Sequence, residues 1–230
     1  VEACITEDGI ALRAKAEISG KPLRAVVLRA PSLRYPLPAD LAEPAVGRRL
    51  ESVMRRGKYL LLDFGNGYVL IHLGMSGSLR IVAPELPPRK HDHVDLVFGE
   101  GARAVALRLH DPRRFGAVVW IEGDPAQHPL IRTLGIEPLS PDFTPQWLYA
   151  STRGLGAAIK PTLMDSHRIV GVGNIYASES LFRAGIDPRT AAGRISLKRC
   201  ERLVPAIRAT LAEAIEAGGS SLRDFIHSDG

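Results

Sequence analysis

Between Leu23 and Ile121 the apolar residues come in short alternating or β-branched runs, each closed by glycine, proline or a polar turn. A period of two predicts strands over residues 24–28, 59–64, 68–73, 78–82, 93–98, 104–109 and 117–121. Gly65-Asn66-Gly67 separates two of these runs and predicts a tight hairpin, because its residues tolerate positive φ. Strands at regular spacing with turn signals between them predict an antiparallel sandwich.

The period changes after Gly123. Residues 124–145 are rich in proline and turn formers, which marks a linker, and beyond them apolar positions recur at helical spacing. Leu197, Cys200, Leu203, Val204, Ile207, Leu211 and Ile215 make one stripe, with Lys198, Arg199, Arg202 and Arg208 off it. Ser196 supplies an N-cap for this helix and Gly218-Gly219 a stop. Residues 10–18, closed by Pro22, read as one more helix. The expected fold is therefore α+β. It has an N-terminal helix and antiparallel β-sandwich domain over residues 1–123, a linker over 124–145, and a helical domain over 146–230.

Composition narrows the class. The 230 residues suffice for two modest domains, and the apolar and charged shares, 45% and 24%, are those of a folded protein rather than a disordered or fibrous one. Lys and Arg outnumber Asp and Glu by 30 to 25, and arginine carries most of the positive charge. Guanidinium groups favour phosphates and base edges, although a GC-rich genome writes the same bias. Cys4 and Cys200 lie far apart with no CxxC pair, which excludes a disulfide framework and a thiolate zinc site within the chain. The longest apolar run, residues 68–73, is too short for a bilayer, and no signal pattern opens the chain, so a cytoplasmic protein without a membrane partner is expected.

Four segments carry candidate chemistry. In Gly171-Val172-Gly173-Asn174-Ile175-Tyr176-Ala177-Ser178-Glu179-Ser180-Leu181-Phe182, two glycines allow close backbone approach, Asn174 supplies an amide donor, and a helix begins beside them. That is a phosphate-gripping turn, or else a helical connection whose glycines serve backbone geometry alone. The stretch before it, from Ala158 through Lys160 to Asp165, also reads as a helix. In Ile71-His72-Leu73-Gly74-Met75-Ser76-Gly77-Ser78, Met75 projects from a glycine-flanked turn; core filler is its usual role, but an exposed methionine there suits a wedge that unstacks bases. His110-Asp111-Pro112-Arg113-Arg114-Phe115-Gly116 presents two guanidinium groups and a ring, fit to pair with an orphaned base and intercalate, or else to form a charged surface hairpin. Lys58, in Arg55-Arg56-Gly57-Lys58-Tyr59, heads a strand.

A fifth segment, His91-Asp92-His93-Val94-Asp95, invites a metal-hydrolase reading, since residues two apart on a strand share a face. No second His/Asp cluster completes such a site.

These segments together resemble the formamidopyrimidine-DNA glycosylase and endonuclease VIII family, over roughly Gly20 to Gly230. The resemblance implies a helix–two-turn–helix element, base-excision repair of oxidised purines such as 8-oxoguanine and formamidopyrimidines, and strand cleavage at the abasic site. Its partner would be damaged double-stranded DNA, bound by a monomer. Met75, Arg113 and Phe115 would fill the void left by the extruded nucleotide. His72, Lys160, Gly173 and Asn174 would hold phosphates, and Lys58 would stand in the active site near the reacting sugar. The family's version of the His91 segment holds no metal, which makes it a hydrogen-bonded support with a phosphate contact from a histidine.

Family members open with a proline whose secondary amine attacks the sugar, then a glutamate, in a segment ending Val-Glu. Val1-Glu2 matches that ending, residues 3–19 run several residues longer than the family's first helix and lack its usual Arg-Gly-Ile pattern, and the first proline is Pro22. Missing ends are the favoured explanation. A chain truly beginning at Val1 should lack lyase activity, with Lys58 as a far slower substitute amine, and the competing reading is a catalytically inactive binder of damaged or abasic DNA. Ser220 to Gly230 matches the segment before the family's lesion loop and zinc finger. Zinc is thus expected in the complete family member and no cofactor in this chain.

Overall fold

A computed structural model describes residues 16–216. Of the expected helix 10–18 only 16–18 fall within that range, where they are helical; Cys4, Gly218-Gly219 and the segment from Ser220 to Gly230 lie outside it.

Eight strands form two four-stranded, wholly antiparallel sheets. They are β1 (Leu23–Leu28), β2 (Ser52–Arg56), β3 (Tyr59–Asp63), β4 (Gly67–His72), β5 (Ser78–Val82), β6 (Asp92–Phe98), β7 (Val105–His110) and β8 (Ala117–Glu122). One sheet runs in the order β1-β6-β7-β5 and the other β2-β3-β4-β8. Their facing sides share one core, in which Leu60, Leu62, Val69 and Ile71 of one sheet meet Leu96, Phe98, Leu107 and Leu109 of the other. Burial of each such side chain contributes roughly 1.5–3 kcal/mol.

The second sheet is covered on its outer face as well. Leu61 and Leu70, which alternate with the inward residues, pack with Ile121 and with Ile131 of the turn-rich segment after β8. Both faces being buried explains why Leu60-Leu61-Leu62 and Val69-Leu70-Ile71 read as continuous apolar runs.

Four helices follow: α1 (Pro145–Thr152), α2 (Ile159–Met164), α3 (Asn174–Ala184) and α4 (Leu197–Glu216). Thr144 caps α1 by accepting the Trp147 N–H at 3.1 Å, and Ser196 caps α4 by accepting the Arg199 N–H at 3.3 Å. The α4 stripe is buried at Cys200, Leu203, Val204, Ile207 and Leu211, against Tyr176 and Leu181 of α3. A second core thus lies wholly in the helical half.

One tie between the two halves runs through residues 136–137. Ile136 pairs with Ile169 as an isolated parallel bridge, and next to it Glu137 reaches across to the β2–β3 hairpin. Its carboxylate accepts hydrogen bonds from Arg55 at 3.1 Å, Arg56 at 2.9 Å and the Gly57 N–H at 2.7 Å.

Two elements, β2 and α1, are not signalled by the pattern. In β2 every residue is at least partly exposed, so no alternation marks it, and α1 begins in the proline-rich stretch at Pro145.

Candidate nucleic-acid interface

The tight β2–β3 turn sets Lys58 at the edge of the sandwich that faces the helical half. There a cavity of about 260 Å³ is walled on one side by Arg34, Gly57, Lys58, Tyr59 and His72, and on the other by Met164, Ser166 and the run Ile169-Val170-Gly171-Val172. Gly173 and Asn174 follow that run directly, so the start of α3 stands next to the cavity; Asn174 is exposed and Gly173 is the N-cap. A larger cavity of about 540 Å³ is lined mainly by apolar residues such as Leu41, Trp120 and Leu130 and takes in none of the candidate residues. Phosphate chemistry needs cations and donors, which places the candidate site in the smaller one.

His72 closes β4 at the cavity wall, its ring 4.9 Å from that of Tyr59. Burial, with the Lys58 and Arg34 charges adding to it, lowers its pKa to about 4. The imidazole is therefore neutral at physiological pH. Its Nδ1 accepts the Gly74 N–H at 3.1 Å, which leaves the ring hydrogen on Nε2 as a fixed donor.

The turn after β4 carries Met75, 55% exposed, and the turn after β7 carries Phe115, 47% exposed. The structure brings them together. Arg113 donates to the Met75 sulfur at 3.5 Å, and its guanidinium lies 4.7 Å from the Phe115 ring centroid. The two turns touch at Gly74: with φ of 66°, its missing Cβ would stand 2.6 Å from the Phe115 carbonyl carbon, so only glycine lets the backbones approach this closely.

Lys160 lies in α2, its N–H directed to the Pro188 carbonyl at 3.3 Å, and it is not among the residues lining the Lys58 cavity.

The metal reading of His91, His93 and Asp95 is corrected by the register of β6. A bulge between Asp92 and Val94 breaks the alternation, so the three do not share a face. Asp95 instead pairs with Arg29 at 2.6 Å and Arg108 at 2.8 Å, while His93 Nε2 donates to the Asp111 carbonyl at 3.0 Å. Asp92 takes Arg80 at 2.7 Å and His110 at 2.9 Å. Burial would raise the Asp92 carboxyl, but the Arg89 N–H, His110 and Arg80 outweigh it and hold it below its ordinary range. Among the described residues no group of three or more His, Cys, Asp or Glu is placed to hold a metal.

Sequence reasoning passed over Arg34, Tyr59, Asp111 and Glu137. Arg34 sits in a loop with no motif, and Tyr59 reads only as the first residue of a strand. Asp111 and Glu137 act through partners 35 and 80 residues away in the chain.

A cavity bearing Arg34 and Lys58 between a sandwich and a helical body, with Arg34 joined through its N–H to the Gly116 carbonyl beside the exposed Phe115 turn, fits the architecture of a helix–two-turn–helix DNA glycosylase. Family models agree: one for the formamidopyrimidine-DNA glycosylase N-terminal domain matches residues 9–118, and one for the formamidopyrimidine-DNA glycosylase H2TH domain matches residues 134–226. The formamidopyrimidine-DNA glycosylase of Aromatoleum aromaticum is 60% identical over 213 residues, 93% of this chain and 77% of that protein; that of Thioalkalivibrio sulfidiphilus is 55% identical, over 93% and 78%. Among solved structures, MutM (Fpg) of Thermus thermophilus is 37% identical with a TM-score of 0.82, covering 97% of this chain and 79% of that one. Lactococcus lactis Fpg in complex with DNA containing an abasic site is 27% identical with a TM-score of 0.87, over 97% and 81%. The chain belongs to the formamidopyrimidine-DNA glycosylase family.

Proposed function

We propose that this base-excision repair glycosylase removes oxidised purines, 8-oxoguanine and formamidopyrimidines, from duplex DNA, acting as a cytoplasmic monomer, and that the complete protein cleaves the strand at the abasic site. One observation carries the reading: Met75, Arg113 and Phe115, from two turns far apart in sequence, form one exposed contacting group. No described helix is long and apolar enough to cross a membrane.

Swinging a nucleotide out of the stack costs a few kcal/mol, least for a damaged base, and leaves a hole and an unpaired partner. Met75 and Phe115 replace the lost stacking, and Arg113 donates to the orphaned base. Lys58 and Arg34 supply positive charge to the phosphates and sugar of the extruded nucleotide, and His72 Nε2–H donates without adding charge. Lys160 at the start of α2, and the Gly173 N–H and Asn174 at the start of α3, hold the flanking phosphates. Closure of the cleft excludes water from the sugar C1′, where the resemblance places attack by an amine.

Affinity for a duplex carrying a tetrahydrofuran abasic analogue should exceed that for the intact duplex by at least about tenfold. Equal affinities would overturn the reading. Release of free 8-oxoguanine from a duplex by the complete protein tests the lesion assignment, and release of uracil or an alkylated purine in its place would redirect it.

A further inference from the structure

Asp111 follows β7 and opens the turn that carries Arg113 and Phe115, and it is fully buried. Its Oδ2 accepts the Gly116 N–H at 2.8 Å, at the far end of that turn, and its Oδ1 accepts the Ser76 hydroxyl at 3.3 Å, in the Met75 turn. Its backbone is equally committed. The Asp111 N–H donates to the His91 carbonyl at 2.9 Å, and its own carbonyl accepts from His93 Nε2 at 3.0 Å and from the Arg114 N–H at 3.3 Å.

Backbone strain gathers at the same point. Among the described residues only His91, at φ 75°, and Arg114, at φ 54°, hold positive φ without being glycine, and both are hydrogen-bonded to Asp111 through the main chain. Such conformations persist only where the surroundings over-determine them. One residue therefore joins three segments: the Met75 turn, the Phe115 turn and the start of β6.

We propose that Asp111 is the positioning residue of the wedge, holding the Met75 and Phe115 turns in one register so that their side chains enter the duplex as a single body. The inference rests on the repair reading above. Two loops that had to order separately on binding would each subtract from affinity, whereas a wedge already assembled does not. Asp111 touches no DNA and acts through the turns it fixes.

The test compares the full chain with Asp111→Ala, Asp111→Asn and Ser76→Ala, on duplexes with and without the abasic analogue and with 2-aminopurine beside it to report unstacking. Asp111→Ala leaves the buried Gly116 N–H without a partner and should cut the preference for the abasic duplex about tenfold, with affinity for intact duplex within about twofold. Asp111→Asn keeps an oxygen for Gly116 and an amide for Ser76, and should stay within about threefold of the parent. In a Met75→Ala background, Asp111→Ala should add less than about twofold, since the wedge it positions is already gone. Full additivity there, equal weakening on intact duplex, or an unchanged preference and fluorescence in Asp111→Ala would overturn the proposal. If circular dichroism shows Asp111→Ala unfolded, Ser76→Ala decides: a loss of about threefold in preference supports the tie between the turns and no loss refutes it. A parent protein without any preference would sink the repair reading itself, an outcome distinct from a parental preference that survives Asp111→Ala.

Discussion

His72 shares its cavity with Lys58 and Arg34, and burial together with those two charges lowers its pKa to about 4, whereas the unfolded chain leaves it at 6.5. The folded state therefore binds fewer protons than the unfolded state between those values, and the stability contributed by the neutral ring is complete above pH 6.5 and lost as pH falls toward 4. The gap corresponds to on the order of 3 kcal/mol. Denaturant unfolding of His72→Gln should show a shallower decline over that window than the parent, and parallel curves would contradict the assignment. Met75 belongs to a different kind of residue, exposed and apolar. Met75→Ala should lose about tenfold in abasic-duplex affinity while intact duplex and melting temperature barely change, because it removes stacking in the complex and little packing in the free protein. The site was legible in sequence to the extent that its residues sit in motifs: Met75, Arg113 and Phe115 meet as their turns foretell. Arg34 and Asp111 were not legible, since what recruits them is contact between segments distant in the chain, 35 residues apart for Asp111 and Ser76, which no local period encodes.

The β2–β3 hairpin owes its position to Glu137. Burial would raise this carboxyl, but the Arg55 charge, the Gly57 N–H and the Arg56 bond prevail and hold it below its ordinary range. A lowered carboxyl contributes stability above its unfolded pKa and loses it as pH falls through the folded one, so the clamp weakens in acid. Glu137→Ala removes the carboxylate shared by Arg55 and Arg56, which keep only their backbone carbonyl partners, and takes the acceptor from the Gly57 N–H, at a cost of about 2–4 kcal/mol by chemical denaturation. Because Gly57 precedes Lys58, the same change should weaken abasic-duplex binding more than Asp63→Ala, at the other end of β3. Equal effects would deny the clamp a role in placing Lys58. At this scale the fold was mostly readable: seven strands fall within a residue of the positions their alternation gives at each end. The missed β2 is an edge strand whose Arg55 and Arg56 point into polar contacts rather than a core, so its pattern carries no apolar signal. The missed α1 starts at a proline, which serves equally as a turn former and as the first residue of a helix.

Over the whole molecule the formal charge is only +5, so attraction to DNA depends on where the charges stand rather than on their sum. Arg34 and Lys58 line the cavity from the sandwich, and Lys160 belongs to α2 of the helical half, so a duplex that touches all three must contact both halves. Each phosphate neutralised releases condensed counterions, and loss of one contact changes the slope of log affinity against log salt by about 0.9. Lys160→Ala should therefore reduce that slope by about 0.9 and weaken intact and abasic duplexes to the same degree. Met75→Ala should leave the slope unchanged while lowering only the abasic preference. Fluorescence anisotropy over a range of salt concentrations separates these two behaviours. If Lys160→Ala left the slope intact, the start of α2 would not touch phosphate, and the duplex would have to follow a path that avoids the helical half. If Met75→Ala altered the slope, the wedge would act through charge rather than stacking, contrary to its exposed thioether and the ring beside it.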